Sequence, residues 1–410
     1  MQLSVRHEEA TPAEWPNLRL DVDELTQSGW RAQPFQQVIL KVASRCNLAC
    51  SACYVYRSVD QSWRDQPTRM SHAVAVQTAQ RIAEHVLDHG LSRVEVVLHG
   101  GEPLLAGPEL LDLVCSTLRA ALPDAVELGL YVQTNGMLLE AAVLDVFIEH
   151  GVRVGVSIDG EPAAHDASRA RPNGDGSHAD VERGLRLLRS APYRHLYAGL
   201  LCVVDPDRDP VTTYEHLIEH EPPAIDLLLP HANWSAPPQR ATPASTPHGS
   251  WLIEVFDRWY DAGRPETSVR VFEEIIRGLV GRPSRVESIG LAPVRLVVVE
   301  TDGSIEQIDA LKSAYEGAAW TGLHVDRDPF DAALALPQFV ARQIGRTALP
   351  ETCQRCDLLE VCGGGYYPHR YRGGAGFRNP SVYCADLTAL IGHIATRVRK
   401  DVDHLHRASG

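Results

Sequence analysis

Apolar positions along this chain alternate between two spacings. Short runs rich in β-branched residues read as strands: Phe35–Val42, Val94–His99, Leu128–Thr134, Val152–Ile158, Leu196–Val204 and Ile225–Leu229. Between them the spacing turns helical. Helices are expected from Ser71 to about His89 with Gly90 as the stop, at Pro108–Ala121, at Leu138–His150 with Gly151 as the stop, near Ala179–Ser190 and at Val211–Glu219. Six strand-then-helix units, the sixth strand leading into a loop, imply an α/β fold with a parallel sheet and right-handed crossovers. A barrel or partial (β/α)6 barrel is the expected architecture. A doubly wound open sheet is the alternative, but no Gly-x-Gly-x-x-Gly follows the first strand.

Outside these units the pattern loosens. Residues 1–33 form a polar extension with a short helix expected at Val22–Ser28, and the barrel unit spans 34–234. Residues 235–290 are expected to bridge: a Pro- and Ala-rich linker at Ser235–Pro247, then helices at Ser250–Ala262 and Arg270–Val280. A C-terminal unit, 291–410, opens with a hairpin at Val294–Glu300 and Ile305–Ile308 around Thr301-Asp-Gly-Ser304, and closes with a long helix from about Ser381 to His406.

The 410 residues carry a formal charge of −14, which speaks against a nucleic-acid footprint and is compatible with a basic peptide or a small molecule. The first residues lack a basic segment followed by an apolar one, and no apolar stretch approaches the ~18 residues that span a bilayer. A cytoplasmic protein without nucleic-acid or membrane partners is expected. Nine cysteines in such a compartment are not a disulfide framework. Cys115 and Cys202 lie in apolar stretches and read as packing residues. The other seven fall into two groups.

Cys46, Cys50 and Cys53 occupy the loop after the first strand. Three soft thiolates suit a cubane cluster with one iron left open, or zinc with a fourth ligand from elsewhere. The loops after the next strands carry His99-Gly-Gly-Glu-Pro103, Gln133-Thr-Asn-Gly136 and Ser157-Ile-Asp-Gly160. Functional groups of a parallel barrel collect on those loops, although each of these can also be a turn with a cap. Cys353, Cys356, Cys362 and Cys384 form the second group, with enough thiols to close a cage around structural zinc or a 4Fe–4S cluster.

Cys-x3-Cys-x2-Cys after the first strand, Gly-Gly-Glu-Pro after the second and the six-unit partial barrel resemble the radical S-adenosylmethionine superfamily. The resemblance implies a 4Fe–4S cluster on Cys46, Cys50 and Cys53 whose open iron is chelated by S-adenosylmethionine; reductive cleavage then gives a 5′-deoxyadenosyl radical that abstracts a substrate hydrogen. It further implies Gly100, Gly101 and Glu102 at the methionyl amino group, Asn135 and Ser157 near the ribose or carboxylate, and Arg169 as a carboxylate partner, a surface salt bridge being the other reading of Arg169. The family's aromatic residue before the third cysteine is Ala52 here, with Tyr54 just after it as a substitute.

The second cysteine group is similar to the C-terminal SPASM domain of that superfamily. Two of the domain's expected thiol positions are Ile308 and Tyr366 here, so one auxiliary cluster, on Cys353, Cys356, Cys362 and Cys384, is implied and two 4Fe–4S clusters in all. Asp309, which follows the first missing thiol, matches the general base of sulfatase-maturating members. Cys53-Tyr-Val-Tyr56, Pro230-His-Ala-Asn-Trp234, Asp309-Ala-Leu-Lys312 and Cys362-Gly-Gly-Gly365 leading to His369-Arg-Tyr-Arg372 resemble the FxsB branch of peptide maturases. That branch implies a ribosomal precursor peptide as substrate, a crosslink between an aromatic ring carbon and a nearby β-carbon (a cyclophane), and a reductant such as flavodoxin or ferredoxin. His231, Trp234, Tyr366 and Tyr367 are the expected peptide contacts. Formylglycine formation, thioether formation, and a non-enzymatic iron–sulfur electron carrier are the competing readings.

Overall fold

The structure, a computed structural model, describes residues 15–17, 19–242, 244–264 and 266–408. The expectation about the first residues therefore lies outside the described part. All six expected strands form: β1 (Gln37–Ala43), β2 (Arg93–Gly100), β3 (Glu127–Thr134), β4 (Arg153–Ser157), β5 (Tyr197–Val203) and β6 (Ala224–Leu228). They lie side by side in chain order and pair parallel throughout. A doubly wound sheet would reverse its order at a switch point; this one advances in one direction, as a barrel wall does.

The wall extends beyond six strands. Two-residue β7 (Ser268–Val269) joins β6 at one edge. At the other edge the expected hairpin supplies β8 (Leu296–Val299) and β9 (Ser304–Glu306), followed by β10 (Trp320–His324). Because β8 pairs parallel with β1, the hairpin continues the barrel wall, and ten strands make one sheet. β7 is too short for any periodic signal, and Trp320-Thr-Gly-Leu-His324 lacks strict alternation, so neither was legible beforehand.

Helix ends follow local chemistry. Ser71 Oγ accepts the Val74 N–H (3.2 Å) to start the helix His72–Asp88. Gly151, at φ 60°, closes the helix before it. That helix begins at Ala141, three residues later than expected, because Leu139 N–H is taken by the Gly136 carbonyl in a turn. The short helix Pro162–Ser168 was not anticipated. The last helix runs Cys384–Ala408; Val382 N–H donates to the His369 carbonyl, which delays its start.

The two faces of the sheet differ sharply. Val38, Leu40, Val96, Leu98, Val132, Val154 and Cys202 point outward and are buried in one apolar cluster with helix residues such as Ile82, Leu111 and Phe147. Their inward neighbours Ile39, Val97, His99, Gln133, Ser157 and Leu201 are only half-buried. A closed eight-stranded barrel fills its interior with packed side-chain layers. Here the inner face remains open, which leaves room for a ligand above the strand ends.

Candidate active site

The cysteine loop leaves the C-terminal end of β1 and is fastened at several points. Arg45 donates to Ser44 Oγ (2.8 Å) and to the Trp63 carbonyl (2.9 Å). Ala49 N–H bonds the Ala170 carbonyl (2.8 Å) and Ser51 N–H the Ser168 carbonyl (2.9 Å). The exit of β2 lies directly against the loop's base: Gly101 N–H donates to Ala43 and Glu102 N–H to Arg45, both at 2.9 Å. A Cβ at Gly100 would collide with the Ala43 carbonyl oxygen. One at Gly101 would fall on the Tyr56 hydroxyl and within 2.5 Å of the Arg45 carbonyl oxygen. In this structure the two glycines admit the chain's own backbone, a role their sequence context did not reveal.

Cys46, Cys50 and Cys53 are half-buried; Cys46 senses the charge of Cys50 and Cys53, and Cys50 that of Arg169 and Cys53. Burial pushes the Cys46 thiol up to about 12, opposed by the Leu48 N–H that it accepts at 3.4 Å. Such a thiol ionises only opposite a cation, as a soft metal would provide. Three thiols on one short, tethered loop beside an open sheet face fit an iron–sulfur cluster with an open coordination position.

The other expected contacts form a ring behind this loop. Glu102 is fully buried; its carboxylate accepts from Leu104 N–H (2.9 Å), Thr134 Oγ1 (2.7 Å) and Asn135 N–H (2.8 Å). Burial raises its carboxyl to about 7 against those three donors. It thus ties the β2 loop to the β3 loop, and its oxygens are already engaged within the protein. Asn135 donates Nδ2 to Asn47 Oδ1 (2.7 Å), holding the cysteine loop from the side. Ser157 Oγ accepts from Gln133 Nε2 (3.0 Å) on the open inner face. Arg169 forms a two-pronged pair with Asp159 (2.7 and 3.0 Å) at low exposure. Its expected role at a ligand carboxylate thus competes with a built-in partner, and the surface salt bridge expected otherwise is a mostly buried one.

Asp309 sits in a buried charge cluster that only the fold assembles. Its Oδ2 is 2.7 Å from Lys41 Nζ and its Oδ1 is 3.4 Å from Lys312 Nζ. Lys312 also reaches Glu300 (2.8 Å) and Glu306 (3.2 Å), and Lys41 reaches Glu300 (3.7 Å). All five side chains are at most 5% exposed. Burial favours the neutral acid at Asp309, but the two ammonium groups outweigh it and hold its carboxyl well below the usual range. Glu306 goes the other way: burial outweighs Lys312 and raises it to about 8. Three carboxyls against two ammoniums therefore reach neutrality with one proton, and Glu306 is where it rests at pH 7. His99, held neutral by burial at about 4, feels the charges of Lys41 and Asp309 from the strand end.

Tyr54 meets His231 edge-on (ring centroids 4.7 Å apart), and Tyr366 lies 6.0 Å from His231 and 5.3 Å from His369. Trp234 is part-exposed with Arg372 over its ring (4.8 Å). Tyr367 departs from expectation. It is 4% exposed and stacked on Phe377 in a separate apolar cluster, so it packs in the core and not at a cleft. Exposed Ala52 borders a cavity of about 180 Å³ that reaches Asp159, Val203, Pro230 and Trp251, where a larger side chain at 52 would intrude.

The second group of cysteines converges as well. Charge on Cys362 is felt from Cys384 and Cys353, and on Cys353 from Cys384 and Cys356. Gly363, Gly364 and Gly365, at φ 60°, 77° and 70°, turn the chain back beside Cys362; a Cβ at Gly363 would collide with the Gly290 carbonyl. Lys41, Glu300, Glu306 and Lys312 were not expected as site residues, although Glu300 and Lys312 lie in or beside stretches already singled out. The available signal was a lone lysine inside the apolar run Val38-Ile-Leu-Lys-Val42.

Residues 40–217 match the radical SAM superfamily. Those residues form a radical SAM domain, and the chain is an enzyme of S-adenosylmethionine and 4Fe–4S chemistry. It is 23% identical over 402 residues to a serine-type anaerobic sulfatase-maturating enzyme of Bacteroides thetaiotaomicron, covering 89% of this chain and 90% of the relative. Its fold is similar to native anSMEcpe with bound AdoMet (TM-score 0.76, 22% identity, 90% of this chain and 99% of that one). It is also similar to Streptococcus suis SuiB bound to its precursor peptide SuiA (TM-score 0.56, 15% identity, 87% and 77%). Among the described residues no helix is long and apolar enough to cross a membrane.

Proposed function

We propose that this enzyme oxidatively modifies a ribosomal precursor peptide, joining an aromatic ring carbon to a nearby β-carbon with net loss of two hydrogens. Cys46, Cys50 and Cys53 would hold the cluster that binds S-adenosylmethionine, and Cys353, Cys356, Cys362 and Cys384 a second 4Fe–4S cluster. When bound, these groups supply abstraction of a hydrogen atom at the first site and a sink for one electron at the second. The observation that carries the reading is Asp309, an ionised carboxylate buried beside the strand-end residue His99 and within electrostatic reach of Tyr54.

Joining the two carbons removes a hydrogen atom from the β-carbon, then a proton and an electron from the ring. Asp309 in its ionised form can take that proton without water. Its two lysines make it a weak base, which suffices here because a ring that regains aromaticity by losing a proton is strongly acidic. Tyr54, His231 and Tyr366 form an aromatic wall against which a peptide ring can pack, and Trp234 with Arg372 lies at its rim. Ile308 and Tyr366 stand where a further cluster would need thiols, which supports two cubanes. Roughly eight irons per chain after anaerobic reconstitution are expected, and a count near twelve refutes two clusters.

The names of the curated relatives favour a second reading, oxidation of Ser or Cys to formylglycine. Co-expression with a candidate precursor, sought among small peptides encoded beside the gene, followed by tandem mass spectrometry, separates the two. The crosslink predicts loss of two hydrogens confined to one aromatic-containing segment and no reaction with a hydrazide. A hydrazide-reactive product supports formylglycine, and an unmodified peptide sinks the crosslink proposal.

A further inference from the structure

Arg370 is a feature of the second cysteine site that its ligands do not explain. Its side chain belongs to a residue that is 8% exposed, yet its hydrogen bonds run to carbonyl oxygens: Nη2 to Gly363 (2.8 Å) and Gly365 (2.5 Å), Nε to Gly365 (3.1 Å). Among the described residues no carboxylate pairs with it. The nearby Glu287 is bonded instead to Arg342, at 2.7 to 3.0 Å. A buried cation without a counter-charge is costly, and carbonyl dipoles compensate only part of its lost hydration. The negative groups that its charge does reach include Cys362 and Cys353. The three-glycine turn is what brings it there: Gly363 to Gly365 curl around the guanidinium immediately after Cys362.

We infer that Arg370 is the built-in counter-charge of the four-cysteine site and biases a cluster bound there towards its reduced form. The inference rests on the second-cluster reading above. Four thiolates and a cubane make a site that is already negative, and one-electron reduction adds a further negative charge. The electron comes from the peptide being oxidised, whose proton goes to Asp309. A fixed positive charge beside two of the thiolates favours the reduced state by Coulomb attraction, so it makes the site a better acceptor. Arg370 is thereby a tuning residue, acting through its charge beside the thiolates.

The test uses the full chain with Cys46, Cys50 and Cys53 all changed to Ala, so that a single cluster is observed. After anaerobic reconstitution, iron is counted and the midpoint is measured by redox titration followed by EPR. Arg370→Gln keeps an amide donor and removes the charge; its reduction equilibrium should fall about tenfold, which is about 59 mV for one electron. Arg370→Lys keeps the charge and should stay within about twofold of the parent. Close to four irons per chain with an unmoved midpoint in Arg370→Gln overturns the inference. If Arg370→Gln loses the fold by circular dichroism, Arg370→Lys decides: a midpoint that falls tenfold despite the retained charge also overturns it. Binding of about one zinc and no iron by the triple-alanine parent removes the second-cluster reading itself, and metal analysis reveals that before any titration.

Discussion

Lys41 shows how one side chain can set the state of a site without touching substrate. It pairs with Asp309 at 2.7 Å where neither is solvated, so removing it leaves a carboxylate short of a counter-ion. Lys41→Met should destabilise the protein by about 3–5 kcal/mol at neutral pH in urea unfolding. Asp309 has a folded value below its unfolded one, near 3.9. Its contribution is therefore present above about pH 4 and lost as pH falls below it, so the Lys41→Met deficit should shrink in acid. Glu306 has the opposite sign. Its folded value of about 8 lies above the ordinary ~4.3, so the folded state binds more protons in between and loses stability as pH rises through that window. Glu306→Gln should remove this slope, with the gap from the parent widening between pH 5 and pH 8. Parallel stability curves for the two proteins would falsify the assignment of the resting proton to Glu306.

At the scale of elements, the site depends on how closely the β2 exit approaches the loop after β1. Gly101 allows two backbone hydrogen bonds there, and a methyl group in its place would displace both Tyr56 and the Arg45 carbonyl. Gly101→Ala should thus lower iron content from roughly eight towards four per chain while the second site keeps its share, as read by metal analysis. The loop's other tether is the Asp159–Arg169 pair, which stands beside the segment that bonds Ala49 and Ser51. Asp159→Asn leaves a buried guanidinium half-paired and should cost about 3 kcal/mol or more in unfolding experiments. If Arg169 instead met only a ligand carboxylate, the ligand-free protein would be indifferent to that change.

For the molecule as a whole, the sheet is independent of the metal-binding loops. Its strands pair by backbone bonds, and its outer face is buried mainly by apolar helix residues such as Ile82, Leu111 and Phe147. Chain with all seven clustered cysteines changed to Ala should keep the far-ultraviolet circular dichroism of the parent while binding no iron. Loss of the sheet signal in that variant would mean the clusters are required for folding. The hairpin that continues the barrel wall brings Asp309 and Lys312 to Lys41, so the two halves of the chain share one buried charge network.

Much of this was readable in the chain itself. Strand positions came from β-branched runs, and the helix Pro108–Ala121 came from its proline start and apolar period, because local propensity and burial agree there. The seven clustered cysteines and Gly-Gly-Glu-Pro stood out as candidates because those residue types recur at close spacing. What the sequence determined by itself was the class of fold and the identity of the groups that can bind metal. Tertiary structure decided what surrounds them. Lys41 and Glu300 are 259 positions apart, Tyr367 and its stacking partner belong to a core that periodicity did not mark, and Arg370 acquires its meaning only where the glycine turn folds it under Cys362. Electrostatic and packing energies depend on distance in space, and spacing along the chain fixes that distance only for near neighbours. The Cys46–Cys53 loop could be named from its own residues, whereas the charge that would tune a second cluster could not.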